Sequence, residues 1–260
     1  MSVLKKVFKF REEGDTEAVK PFLEHLEDLR WTLIKMFLTL AISMVVAFGF
    51  NKQLLAIIEA PLNTIAPDLA SSLKVFGVVD SFIISLQLAF YAGIALSFPI
   101  LVFFLAQFVL PALTRQEKRW VLPAVAVSFA LFLTGVVFSY FLILPQTLKF
   151  FFEHALSIGL EPYWTARAYF SFVTHLTLAF GMAFELPVVV LTLLLIGLIN
   201  FDFLNRTRPY AIVILLLLAV VIAPTPDVLT FLSLGAPMVL LYELCIWMAW
   251  LIERWKRKRG

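Results

Sequence analysis

The sequence is short of the residues on which soluble enzymes depend. Only 15% of its 260 residues are charged, against about 25% in an ordinary soluble domain. A single cysteine, Cys245, excludes an internal disulfide and the multi-thiolate zinc or iron–sulfur sites. The three histidines, His25, His154 and His175, lie far apart, with no HExxH or His-x-His spacing. No metal or other cofactor is therefore expected. The GxxxxGK[ST] loop that cradles nucleotide phosphates is missing. So are a GxSxG elbow and paired intramembrane aspartates, which leaves an enzyme reading without support. No nucleic-acid partner is expected, and no cleavable signal is expected at the polar, basic N-terminus.

What the chain has in excess is apolar surface. Hydrophobic residues make up 62% of it, and the mean hydropathy is +0.94. Six apolar runs stand out: Trp31–Phe50, Phe82–Phe108, Trp120–Leu144, Tyr169–Ile199, Tyr210–Ile222 and Val228–Ile252. Crossing a hydrocarbon core of about 30 Å takes about 20 helical residues. The runs are continuous rather than alternating, which points to helices and not to a β-barrel. The expected fold is all-α: one integral membrane domain over 1–260 with six transmembrane helices. Residues 1–30 form a polar N-terminal region with an interfacial helix, 31–252 hold the spans, and 253–260 are a basic tail. The fourth run reads as one long tilted helix kinked near Pro187. The fifth is short enough to need bilayer thinning or help from neighbours.

Orientation follows from the cations. Six spans put sixteen Lys and Arg on the side of the termini and of the loops near 109–119 and 200–209. Only Lys52, Lys74, Lys149 and Arg167 fall on the other side, and Lys35 lies within the first span. Positive loops stay inside, so both termini are expected in the cytoplasm of a cell whose inner membrane holds the protein. The longer connections, near 51–80 and 146–167, are then external. No internal repeat or second domain is visible.

A few polar residues need a reason. Ahead of the first span, Phe22, Leu26, Leu29 and Leu33 recur at helical spacing, with Glu24, Glu27 and Asp28 on the other faces. These acids read as a solvated face or as a carboxylate surface for a basic ligand. Thr114 and Glu117 have capping-box spacing before the third run, and Phe108 is an ordinary interfacial aromatic. Glu185 lies deep in the fourth run, where an ionised acid costs at least about 2.5–3.5 kcal/mol. It must be protonated, paired or beside a wet cavity. Asp227 precedes the sixth run as an N-cap would, Glu243 poses the same question as Glu185, and His175 reads as an interhelical hydrogen-bonder.

Several segments in a fixed order carry a resemblance. They are His25-Leu-Glu-Asp-Leu-Arg30, Ala60-Pro61-Leu62, Phe108 with Pro111-Ala-Leu and Glu117-Lys-Arg119, Ala179-Phe-Gly-Met-Ala-Phe-Glu185-Leu-Pro187, Arg208-Pro-Tyr210 and Ala223-Pro-Thr-Pro-Asp227. Together they resemble the TatC family, the large polytopic subunit of the twin-arginine protein translocase. The resemblance implies a core receptor for export signals that contain an Arg-Arg pair. It also implies folded cargo moved outward by the protonmotive force, and an oligomer with small single-span TatA- and TatB-type subunits. Signal binding is implied for Asp28, Arg30, Phe108 and Glu117, intramembrane polar roles for Glu185 and Asp227, and a structural role for Pro61. Asp28 stands where relatives often have Glu, and Thr230-Phe231 where they commonly have Ser-Gln. The residues alone also admit a proton-coupled secondary transporter built on Glu185 and His175.

Overall fold

The computed structural model describes residues 22–67, 73–109, 118, 121–195, 197–222 and 228–259. Among the described residues the chain is helical, apart from short connections and one isolated bridge between Lys74 and Thr165. Six helical stretches among the described residues are long and apolar enough to cross a membrane. Their large outward side chains, such as Phe37 (75% exposed) and Val221 (80% exposed), are apolar. On a soluble protein that surface would aggregate; here it faces lipid.

Helix α1 runs unbroken from Phe22 to Gly49. The expected interfacial helix is therefore no separate element but the first turns of the first span, since neither Gly nor Pro occurs between Phe22 and Phe48 to end it. Helix α2 (Asn51–Ile65) follows, then α3 (Asp80–Val109) and α4 (Val121–Phe138). A π turn, Ser139–Ile143, joins α4 to α5 (Leu144–Ser157), where the Leu144 amide donates to the Ser139 carbonyl. The two connections expected as external loops thus contain helices. Short amphipathic helices with Lys, Gln and Asn do not register as apolar runs.

The fourth run is one span from Ala166 to Leu194, interrupted near Pro187 as expected and divided there into α6 (Ala166–Ala183) and α7 (Leu186–Leu195). The break at Phe184–Glu185 lies just before Pro187, whose ring and missing N–H disrupt the preceding turn. The fifth span, α8 (Phe201–Ile222), has 22 residues, about 33 Å at helical rise; its first turns carry Asp202, Arg206 and Arg208, and the apolar stretch from Tyr210 keeps the short length expected. The segment expected as a loop near 200–209 is helical from Phe201, where the Asn200 side chain accepts from the Phe203 amide at 2.7 Å. Helix α9 (Val228–Arg259) completes the chain.

Helix α3 is the axis of the fold, packing along α1 and against α4 and α6. Glycines set the closest approaches. A Cβ on Gly135 of α4 would lie 2.6 Å from the Phe180 carbonyl, and one on Gly181 of α6 would lie 2.8 Å from the Phe132 ring. Phe132 is fully buried and stacks on Phe98, with ring centroids 3.9 Å apart. In lipid such close packing, rather than hydrophobic exclusion, holds helices together. Helices α8 and α9 pair with each other, and α9 also packs on α7.

One end of the bundle is capped by α2 and α5. Pro61, buried inside α2, has no N–H, so the Ile57 carbonyl one turn earlier loses its helical donor. The Tyr140 hydroxyl donates to that carbonyl. One residue on, the Tyr169 hydroxyl donates to the Ile58 carbonyl at 2.7 Å. Asn51 donates to the Ser85 hydroxyl at 2.7 Å. Arg167 pairs with Asp80 at 2.8 Å, and the other oxygen of Asp80 accepts from the Gly77 amide at 2.8 Å.

Candidate functional site

The opposite end carries most of the cations. Its geometry follows from how α1 and α3 meet. Gly93 of α3 lies against the backbone of Met44 of α1, and Ser85 of α3 bonds Asn51, just past the end of α1. Residue numbers fall on one helix as they rise on the other, so the pair is antiparallel. Counting back from Met44 to Asp28, and forward as many positions from Gly93, ends at Val109. Asp28 therefore stands level with Phe108 and Val109 at this basic end. Arg30, two residues further along the helix, is exposed, whereas Asp28 and Phe108 are half-buried and each engages neighbouring groups. Thr32 donates its hydroxyl to the Asp28 carbonyl at 2.8 Å. Glu117 and its capping partner Thr114 lie outside the described residues; Lys118 beside them is exposed.

Glu185 sits at the α6–α7 break, ten residues before the end of α7 at Leu195, roughly 15 Å at helical rise. Its Oε2 accepts from the buried Ser128 hydroxyl of α4 at 2.6 Å, while Oε1 is buried without a partner among the described residues. The acid is thus turned into the bundle and paired with a neutral hydroxyl rather than a cation. One turn earlier, the space at Gly181 is taken by the Phe132 ring, 2.8 Å from where a Cβ would stand. A carboxyl with one satisfied oxygen and one orphaned oxygen fits a protonated acid or a site that takes a further donor.

The remaining polar residues sort differently. Asp227 lies outside the described residues. His175 bonds within its own helix, with Nδ1 2.7 Å from the Ser171 carbonyl, and across to α3 it meets the Tyr91 ring edge-on at 5.2 Å. It is not the interhelical hydrogen-bonder expected: Nδ1 bonds within its own turn, and among the described residues no hydrogen bond joins the ring to another helix. Glu243 is paired with Arg208, whose Nε donates to it at 2.7 Å. Sequence reasoning missed Ser128, Tyr140 and Tyr169. A serine or tyrosine in an apolar run is unremarkable until the orphaned group it satisfies is known, and Pro61 was the available signal for Tyr140.

Comparison with known proteins agrees with this architecture. The family model for the Sec-independent protein translocase protein TatC matches residues 24–237. The protein of that name from Akkermansia muciniphila is 45% identical over 175 residues, which are 67% of this chain and half the length of that relative. Those from Desulforapulum autotrophicum and Listeria innocua are each 36% identical, over 88% and 89% of this chain and 84% and 92% of their own lengths. A crystal structure of a twin-arginine translocase receptor, TatC, is similar with a TM-score of 0.78 and 33% identity, covering 87% of this chain and 98% of that one. With six apolar helices and likeness of this extent, the chain belongs to the TatC family: a multi-pass inner-membrane component of a protein translocase, and not an enzyme.

Proposed function

We propose that this chain is the receptor that binds Arg-Arg export signals at its basic end, through Asp28, Arg30, Phe108 and Glu117. The α1–α3 register carries the reading, because it sets Asp28 level with the residues that open the segment containing Glu117. An arginine side chain takes a carboxylate through two parallel charge-assisted hydrogen bonds, which lysine cannot reproduce. Two adjacent arginines need two such acceptors, and Asp28 and Glu117 supply one each. Phe108 offers an apolar wall to the residues beside the pair. Arg30 keeps the acids from drawing in unselected cations.

In this reading the basic end, with both termini, faces the cytoplasm. The bound signal is passed to an assembly with TatA- and TatB-type single-span subunits, and the protonmotive force drives folded cargo outward. Glu185, with its orphaned oxygen and neutral partner, and Asp227 are the intramembrane polar groups available to that assembly. The test is binding of a signal peptide to the reconstituted chain in Arg-Arg and Lys-Lys forms. The Arg-Arg form should bind at least about tenfold more tightly, about 1.4 kcal/mol; equal binding would remove the site. Orientation is checked by single cysteines on a Cys245→Ala background. Reagent applied outside intact cells should label position 76 and spare position 118, and labelling at 118 would reverse the topology.

A further inference from the structure

Between α8 and α9 at the basic end lies a groove of about 310 Å³, lined by Phe201, Asn205, Arg208, Ile246, Trp247 and Trp250. Neither the signal site nor the capped end uses it. Its floor is apolar, with Ile246 buried, and its rim holds two exposed indoles. Tryptophan at such a rim is typical of the bilayer–water boundary, where an apolar ring can carry its N–H among headgroups. Arg254 lies over the Trp250 ring at 5.0 Å and adds a second cation on the water side.

Arg208 is the informative residue. Its Nε donates to Glu243 Oε1 at 2.7 Å. Its terminal amino groups have no partner among the described residues, and the side chain is half exposed. Glu243 thus fixes the guanidinium by one edge and leaves the other presented at the groove. That edge offers the forked donor geometry that matches a phosphate. Asn205, one turn earlier, lines the same groove and brings an amide donor.

We propose that this groove binds the headgroup of an anionic phospholipid, with its phosphate on the outer edge of Arg208 and its glycerol and upper acyl chain along Trp247, Trp250 and Ile246. Basic pockets between transmembrane helices suit such headgroups. The apolar floor and paired indoles favour a lipid over free phosphate, because an inorganic ion would leave that surface without a partner. The inference is independent of the signal-binding reading.

The chemistry makes an unusual demand on Arg208, which serves two anions at once. Lysine at this position has one ammonium, and Glu243 would hold it. The full chain is reconstituted in phosphatidylcholine nanodiscs containing a minor fraction of brominated phosphatidylglycerol or brominated phosphatidylcholine, and tryptophan quenching is read. The Trp247→Phe/Trp250→Phe variant isolates the groove's share of the signal. In the wild type the groove should prefer the phosphatidylglycerol probe by about fivefold, the preference that one cation confers near an anionic surface. Arg208→Lys should abolish that preference, Glu243→Gln should keep or raise it, and the double variant should regain part of it. Both single changes retain polar side chains, and a matched unfolding midpoint establishes that each variant is folded. An Arg208→Lys protein with wild-type preference would overturn the proposal and assign the attraction to the basic tail. Loss in Glu243→Gln, or displacement of the probe by inorganic phosphate, would overturn it as well.

Discussion

At the capped end, Tyr140, Tyr169, Asn51 and Asp80 all bond to groups of the same chain. At the basic end, Arg30, Arg206 and the terminal nitrogens of Arg208 have no partner among the described residues. The capped end is also dense with helix against helix, α2 lying on α3 and α5. The difference separates scaffold from recognition surface: polar groups that satisfy each other hold shape, and those left over are available to a partner. A substitution at the first end should therefore cost stability and spare binding, and one at the second should do the reverse.

The strongest way to break this contrast is to remove both tyrosine hydroxyls. Tyr140→Phe with Tyr169→Phe leaves the Ile57 carbonyl without any donor and the Ile58 carbonyl short of one. At about 0.5–1.5 kcal/mol for each hydrogen bond lost, the pair should lower the unfolding midpoint in detergent by several degrees. Affinity for an Arg-Arg peptide should change less than about twofold, within the range expected for distant, independent sites. A large loss of binding at unchanged stability would dissolve the distinction between the ends.

Between the two ends lies Glu185. Glu185→Gln keeps an acceptor for the Ser128 hydroxyl, so membrane abundance should stay near wild type while export falls. Ser128→Ala should cost about 1–3 kcal/mol, because it leaves both carboxyl oxygens unpartnered; unchanged stability would mean that the 2.6 Å contact contributes nothing. The smallest effect belongs to Arg167. Its pair with Asp80 is more than half exposed on the arginine side, and such pairs contribute about 0–1 kcal/mol. Arg167→Gln should move the midpoint by no more than a degree or two, and by less still in high salt.

How much of this was legible in the sequence depends on the range of the signal. The spans were, because twenty consecutive apolar residues can hardly be anything else, and Pro187 marked the break in the fourth. The helices α2 and α5 were not, since the polar faces they turn to water interrupt the apolar pattern. The length of α8 was hidden for the same reason: Asp202, Arg206 and Arg208 in its first turns read as loop. The tyrosine–carbonyl bonds join residues 83 and 111 positions apart, and no local pattern encodes them. Glu185 was conspicuous as an acid in lipid, yet its partner Ser128 was not, because a serine costs little anywhere in a helix. The secondary-transporter alternative rested on His175 and Glu185 acting together. It loses its ground once the chain is placed in the TatC family and His175 is seen bonded to its own turn.

The central claim is that Asp28 and Glu117 form one receptor for paired arginines. Its most direct test is the affinity of an Arg-Arg peptide for the wild type, Asp28→Asn, Glu117→Gln and the double variant, each at matched abundance and unfolding midpoint. Gln at position 117 still suits the third position of a capped helix, and Asn at 28 keeps the shape of Asp, so each change removes charge alone. Each single variant should bind about tenfold or more weakly. The Lys-Lys peptide, which never made the forked contact, should lose less. If both single variants bind the Arg-Arg peptide as the wild type does, then Asp28 is a solvated acid, Glu117 is a helix cap, and the receptor surface lies elsewhere on the molecule.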